Sequence, residues 1–189
     1  MVSKGLDFDH VALVGILNAD DMLYFPDFRA FERSFQLMAQ VSGRAGRKKK
    51  RGKVIVQSYN PDHWILQKLM KHDYQGMYEQ EIVERKQFNY PPYSRLIKLT
   101  VVHKLSGVVD GASGELALLL KEKLGSRVLG PEYPSIARIR NSYHKVITLK
   151  FEKTASVKKV KAFLIDSING LRQQKHYKSV RVKIDVDPV

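Results

Sequence analysis

The sequence predicts an α/β chain in two parts: parallel βα units first, then an α+β half of the split βαβ, ferredoxin-like kind. Three observations carry this. Short β-branched apolar runs alternate with helical periodicities through the first half. The paired prolines of Asn89-Tyr90-Pro91-Pro92-Tyr93 then interrupt both helix and strand. Beyond them the pattern reads β-α-β-β-α-β. The expected organisation is therefore a partial first domain over 1–73, a helical linker over 74–93 and a second domain over 94–189.

In the first part, His10–Leu17 is an apolar run suited to a buried parallel strand. Asn18-Ala19-Asp20-Asp21 reads as a polar loop, and Phe25-Pro26-Asp27 as a turn. Phe28, Phe31, Phe35, Met38 and Val41 recur every three or four residues, which predicts a helix with Asp27 as its N-cap and the phenylalanine stripe in the core. Val54-Ile55-Val56 is a second strand. Asn60-Pro61-Asp62 opens a helix over His63–Lys71, and Tyr74 to Gln87 is helical with Glu79, Glu81 and Glu84 as an acidic cluster. Two parallel strands alone expose unpaired edges and bury little, so this layer is expected to be the tail of a larger domain.

In the second part, Leu96–His103 alternates as a strand, and Val108–Leu124 is helical through Leu116, Leu119, Leu120 and Leu124. Val128-Leu129-Gly130-Pro131 is short and extended. Ser135–Arg140 and Lys145–Phe151 both alternate and are expected to pair antiparallel. Val157–Arg172 is helical through Val160, Phe163, Leu164, Ile168 and Leu171, and Val180–Val186 is a last strand.

Composition narrows the function. The chain has 189 residues, 43% hydrophobic and 28% charged, with no cysteine, which removes disulfide scaffolds, thiolate catalysis and the commoner structural zinc sites. No apolar run approaches the ~20 residues of a membrane span, and a cytoplasmic setting is expected. The formal net charge of +14 points to a polyanionic partner. That charge is concentrated in Arg44–Lys53, which holds seven basic residues and no acid, and in the half after Tyr93.

Gln40-Val41-Ser42-Gly43-Arg44-Ala45-Gly46-Arg47 has the form Q-x-x-G-R-x-G-R at the end of a predicted helix. Two guanidiniums three residues apart can converge on one anion from one helix face, and Gly43 and Gly46 leave room for its approach. Such a pair suits the charge that develops on a transferring γ-phosphoryl group. A basic helix end complementing its own dipole, or phosphate contact without catalysis, would use the same residues.

This octapeptide resembles motif VI of superfamily 2 helicases, and Lys4-Gly5-Leu6-Asp7-Phe8 resembles their motif V. Asn18-Ala19-Asp20 and Pro26-Asp27-Phe28-Arg29-Ala30-Phe31-Glu32-Arg33 resemble the segment peculiar to the PriA (primosomal protein N-prime) replication-restart family. So do Tyr59-Asn60-Pro61, Tyr90-Pro91-Pro92-Tyr93, Leu129-Gly130-Pro131 and Asp185-Val186-Asp187-Pro188. The resemblance implies a bacterial, ATP-driven 3′→5′ DNA helicase that recognises stalled forks and reloads the replisome. The first part would be the remnant of a RecA-like helicase lobe 2, and the second a ribosomal S10-like C-terminal domain.

The resemblance makes Arg44 and Arg47 the γ-phosphate arginines, with Arg47 the first choice for the finger. Gln40 would orient that group, Gly5 and Asp7 would touch nucleotide, and Lys4 matches the motif V lysine. ATP and Mg²⁺ would be bound mostly by an upstream part, which would also hold zinc. The chain has no G-x-x-x-x-G-K-[ST] loop and no D-E-x-H motif. A fragment running from motif V onward is thus expected to hydrolyse no ATP and to need no cofactor of its own. Implied partners are forked and single-stranded DNA, the acidic C-terminal tail of single-stranded-DNA-binding protein, and primosome or helicase-loading proteins; no membrane is implied.

Lys48, Lys49, Lys50 and Arg51 continue the basic run as a DNA-facing surface or as a solvated loop. Arg138, Arg140, Tyr143 and Lys145 flank the predicted hairpin. Alternation puts both arginines on one strand face, where phosphate pairing and base stacking suit single-stranded or fork DNA. Lys158, Lys159 and Lys161 sit at the N-terminal end of the last helix, where cations are disfavoured, which hints at an anionic partner. Two other classes of function fit the same charges: a non-catalytic nucleic-acid-binding module, and a ribosomal-type RNA-binding protein.

Overall fold

Four-residue strands at Leu13–Ile16 (β1) and Lys53–Val56 (β2) pair in parallel, with Leu13 opposite Lys53 and Ile16 opposite Val56. They belong to the first of two units into which the chain divides between Arg85 and Lys86. The computed structural model describes residues 11–45 and 52–188. Helices α1 (Asp20–Leu23) and α2 (Ala30–Ser42) lie between the strands in sequence; α3 (Trp64–Met70) and α4 (Tyr74–Gln87) follow β2. Ile16, Leu23, Phe35, Met38, Ile65, Leu69 and Met77 form the core of this unit.

Local chemistry shifts several boundaries from those expected. Asn18-Ala19-Asp20-Asp21 does not form a loop, because Asp20 begins α1. Its buried carboxylate accepts the Ser58 hydroxyl and the Tyr59 N–H, each at 3.0 Å, so its polar atoms are satisfied. Asp27 does not cap α2. It accepts the Arg29 N–H at 2.8 Å in an Asx turn, and the helix starts one residue later, at Ala30. His63 does cap α3, its Nδ1 accepting the Ile65 N–H at 3.3 Å.

The phenylalanine stripe divides. Phe35 is buried and Phe31 packs edge-on to Trp64. Phe28 instead meets the guanidiniums of Arg29 and Arg85, 5.2 and 5.3 Å from its ring centroid. Arg85 also reaches Glu81, one turn back on α4, and Glu32 on α2 at 2.8 Å.

One side of the β1–β2 pair stays uncovered among the described residues. Leu13, Leu17 and Ile55 are 55%, 79% and 58% exposed, while Val14, Ile16 and Val56 turn toward the core.

The second unit is built around β3 (Ser94–His103). It follows with α5 (Ser106–Leu124), a 3₁₀ turn, β4 (Val128–Glu132), β5 (Arg138–Ile139), β6 (Ser142–Glu152), α6 (Val157–Gln173) and β7 (Arg181–Val186). The sheet order is β4-β6-β3-β7, every neighbouring pair antiparallel, with β5 attached to β6. β3 and β4 are therefore parallel with β6 inserted between them, the split βαβ arrangement. Both helices pack on one face. There Ile97, Leu99, Val101, Ile147 and Leu149 meet Leu116 and Leu120 of α5 and Leu164, Ile168 and Leu171 of α6.

The hairpin arm expected over Ser135–Arg140 shrinks to Arg138–Ile139. Pro131 and Pro134 lack ladder donors, and the Tyr133 hydroxyl is drawn away to Asp110 on α5 at 2.8 Å. Arg140 and Asn141 form the two-residue turn itself, with φ of 46° and 59°. Asp187 closes β7 onto β3: its N–H donates to the Leu96 carbonyl at 2.8 Å, and its carboxylate accepts the Leu96 N–H at 3.2 Å.

Candidate functional site

The Q-x-x-G-R-x-G-R segment begins on α2. Gln40 is exposed there, the helix stops at Ser42, and Gly43 occupies the C-cap. Arg44 follows in a turn, its N–H donating to the Val41 carbonyl at 3.1 Å, so it lies past the helix and not on its face. Glycine's weak helix propensity accounts for the early stop. Lys4, Gly5, Asp7, Arg47, Lys48, Lys49, Lys50 and Arg51 lie outside the described residues.

Arg44 lines a cavity of ≈ 600 Å³ together with Leu13, Gly15, Ile16, Met38 and Val41; Gln40 does not. Most of the wall is aliphatic, and Asn18 and Asp21 supply the other polar side chains. A lining with one guanidinium, one carboxylate and otherwise mostly aliphatic walls does not make a triphosphate cradle, so the described residues do not fit ATP by themselves. Among the described residues no group of three or more His, Asp or Glu side chains could hold a metal ion. No described helix is long and apolar enough to cross a membrane.

In the second unit, Arg138, Tyr143 and Lys145 of the sequence-selected residues gather at one end of β6, on the side that carries the helices. Arg138 sits opposite Tyr143, its guanidinium 5.3 Å from the ring centroid and bonded to the Asn141 side chain. Lys145 is pinned: its ammonium meets Asp110 at 2.7 Å and lies 4.8 Å from the Tyr133 ring centroid. The hydrogen bonds from Lys145 and then Tyr133 hold the Asp110 carboxyl below the usual carboxylate range. Arg140, in the turn, is exposed and does not share a strand face with Arg138.

The helix-free side of the same sheet holds a second set of cations that the sequence reading passed over. Cross-strand register aligns Arg181, Val102 and His144 in one row, Lys183, Thr100 and Val146 in the next, and Asp185, Lys98 and Thr148 in a third. Lys98, Arg181 and Lys183 are exposed and His144 is half-buried. Burial chiefly, then the charges of Lys183 and Arg181, hold the His144 imidazole below its usual range. The signal was present in Arg181-Val182-Lys183, whose alternation puts both cations on one face. Only the strand order shows which face that is.

Comparison with known proteins matches residues 86–189 to the family described as Primosomal protein N C-terminal domain. Over its whole length the chain is similar to proteins named Replication restart protein PriA. It is 38% identical over 190 residues to that of Bacillus subtilis, covering 23% of the relative. It is 38% identical over 191 residues to those of Synechocystis sp. and Treponema pallidum, covering 22% and 28% of them. The chain thus spans about a quarter of the length of the curated relatives it matches.

Proposed function

The chain belongs to the primosomal protein N (PriA) family, and on that premise we propose that it is the C-terminal portion of an ATP-dependent 3′→5′ superfamily 2 DNA helicase that restarts stalled replication by primosome assembly. Similarity along the whole chain, and not only across the second unit, is the observation that carries this reading. The first unit is the end of a RecA-like lobe 2. The parallel β1–β2 pair and its uncovered Leu13, Leu17 and Ile55 support that assignment, since a larger sheet would cover them.

In this reading Arg44 and Arg47 supply guanidiniums to the γ-phosphate of a nucleotide held, with Mg²⁺, by residues outside the chain, and Gln40 orients them. Gly5, Asp7 and Lys4 belong to the neighbouring helicase motif, and the Lys48–Arg51 run faces DNA. The second unit binds forked and single-stranded DNA. It also receives the acidic tail of single-stranded-DNA-binding protein and helicase-loading proteins. The location is the bacterial cytoplasm. The chain alone turns over no ATP.

The test uses the full-length protein. Arg44→Ala and Arg47→Ala should each lower DNA-stimulated ATP hydrolysis by roughly 10³-fold, with forked-DNA affinity within twofold of the parent. Normal unwinding with both guanidiniums removed overturns the assignment, as does steady-state ATP turnover by the 189-residue chain.

A further inference from the structure

Three features of the helix-free sheet face in the second unit belong together. Its cations come from different strands, Lys98 from β3 and Arg181 and Lys183 from β7, so the sheet holds them in a fixed array. Among the described residues none of the three makes a salt bridge, whereas Lys145 and Arg127, elsewhere on the unit, both do. Beside them lie groups that can hydrogen-bond an oxyanion without repelling it: the Thr100 hydroxyl, across from Lys183, and the His144 imidazole on β6. Asp185 lies in the outermost of the three rows, beside Lys98 and two rows from Arg181.

We propose that this face, with Lys98, Arg181 and Lys183 beside Thr100 and with His144 at its β6 side, is a binding surface for the phosphodiester backbone of single-stranded DNA. Lys98, Arg181 and Lys183 are exposed over a floor of buried Val102 and Val146, and the cations of β7 stand on alternate residues, about 7 Å apart. A chain of regularly spaced phosphates can occupy such an array, while a duplex would need a curved groove. No Phe, Tyr or Trp ring stands among the three rows, so binding is carried by phosphates more than by base stacking. The surface is distinct from the Arg138–Tyr143 cluster on the helix-bearing side. The proposal rests on the reading above that DNA is the second unit's partner.

The experiment measures anisotropy of labelled dT20 with the 189-residue chain across a series of NaCl concentrations. The variants are Lys98→Gln/Arg181→Gln/Lys183→Gln and, as a control of equal charge, Lys153→Gln/Lys175→Gln/Lys178→Gln, exposed residues in the turns before and after α6. The sheet-face variant should bind at least tenfold more weakly, with its log–log salt slope shallower by about 2, as three lost phosphate contacts at ~0.7 each require. The control should stay within threefold of the parent.

Equal loss in both triple variants means that only net charge matters and overturns the proposal. An unchanged sheet-face variant beside a parent chain that binds overturns this surface and leaves the DNA reading intact. A parent chain that does not bind dT20 overturns both. Tighter binding of U20 than dT20, or of a glutamate decamer than dT10, reassigns the face to RNA or to an acidic peptide and overturns the proposal. Should the triple variant fail to fold by circular dichroism, Lys98→Gln alone, on an exposed side chain, should show the slope shallower by about 0.7, and an unchanged slope counts against the surface.

Discussion

Lys145 on β6 meets the Asp110 carboxylate of α5 at 2.7 Å, and the Tyr133 hydroxyl bonds the same carboxylate at 2.8 Å, so one acid ties a strand and a loop to a helix. Lys145→Met removes one of the two donors. Solvent at the half-exposed Asp110 limits the loss to about 0.5–1 kcal/mol at pH 7 in urea unfolding. Because the folded carboxyl titrates below its unfolded value, its contribution is present above about pH 4 and is lost as pH falls through the folded value. Parent and variant stabilities should therefore converge at acid pH, and a constant gap down to pH 2 would contradict the assignment.

Arg85 holds two carboxylates, Glu81 and Glu32, and covers the ring of Phe28. Glu81 is 5% exposed, and its carboxyl sits above the usual range because burial outweighs the Arg85 hydrogen bond. A raised folded value means that stability from this group is full below the unfolded value and declines as pH rises through the folded one. Arg85→Met strands the acid and should cost about 3 kcal/mol at pH 8, and clearly less at pH 5, where Glu81 can take up a proton. Urea melts at the two pH values measure the difference.

The Arg140-Asn141 turn has both residues at positive φ, the geometry that favours Asn-Gly. Arg140→Gly relieves the left-handed strain of a side chain at φ 46° and should raise stability by about 0.5–1 kcal/mol in thermal unfolding. If Arg140 also contacts DNA, the same variant loses affinity while gaining stability. Anisotropy titration beside the melt separates the two effects.

Gly130 has φ of 89°, and a Cβ there would lie 2.8 Å from the Val146 carbonyl oxygen of the neighbouring strand. Neither backbone can yield without breaking the β4–β6 pairing, so Gly130→Ala should destabilise the second unit by about 2–4 kcal/mol. A thermal midpoint equal to the parent's would show that the strand edge deforms more easily than this contact implies.

Periodicity located the elements wherever one face is buried and the other is wet. Helix α2 ends within a residue of Val41, the last of its periodic apolar positions, and β3 and β7 fall within two residues of their expected starts. It failed where a side chain competes with the backbone. Asp27 spends its carboxylate on a turn before α2, and Asp20 spends its own on Ser58 and Tyr59, making a helix start of an apparent loop. Alternation also assumes a strand, so it carried Arg140 onto the face of Arg138 when Arg140 in fact turns the corner.

Site residues were legible by motif and less so by surface. The octapeptide singles out Arg44, and the structure places it beside a cavity. Lys145 looked like a free cation because its partner, Asp110, lies far away in sequence on another element. Lys98 and Lys183 become neighbours only once β7 is known to pair with β3.

That pairing also orders events on the ribosome. β3 emerges first of the sheet strands and gains β6 along one edge, but its other edge waits for β7, the last strand of this sheet to be synthesised. Through that interval a ten-residue strand carrying Leu96, Ile97, Leu99, Val101 and Val102 presents open backbone donors and acceptors to whatever else the nascent chain meets. Translation that stalls before Arg181 therefore leaves a species primed for strand-to-strand aggregation. Prompt arrival of β7 behind α6 shortens that exposure.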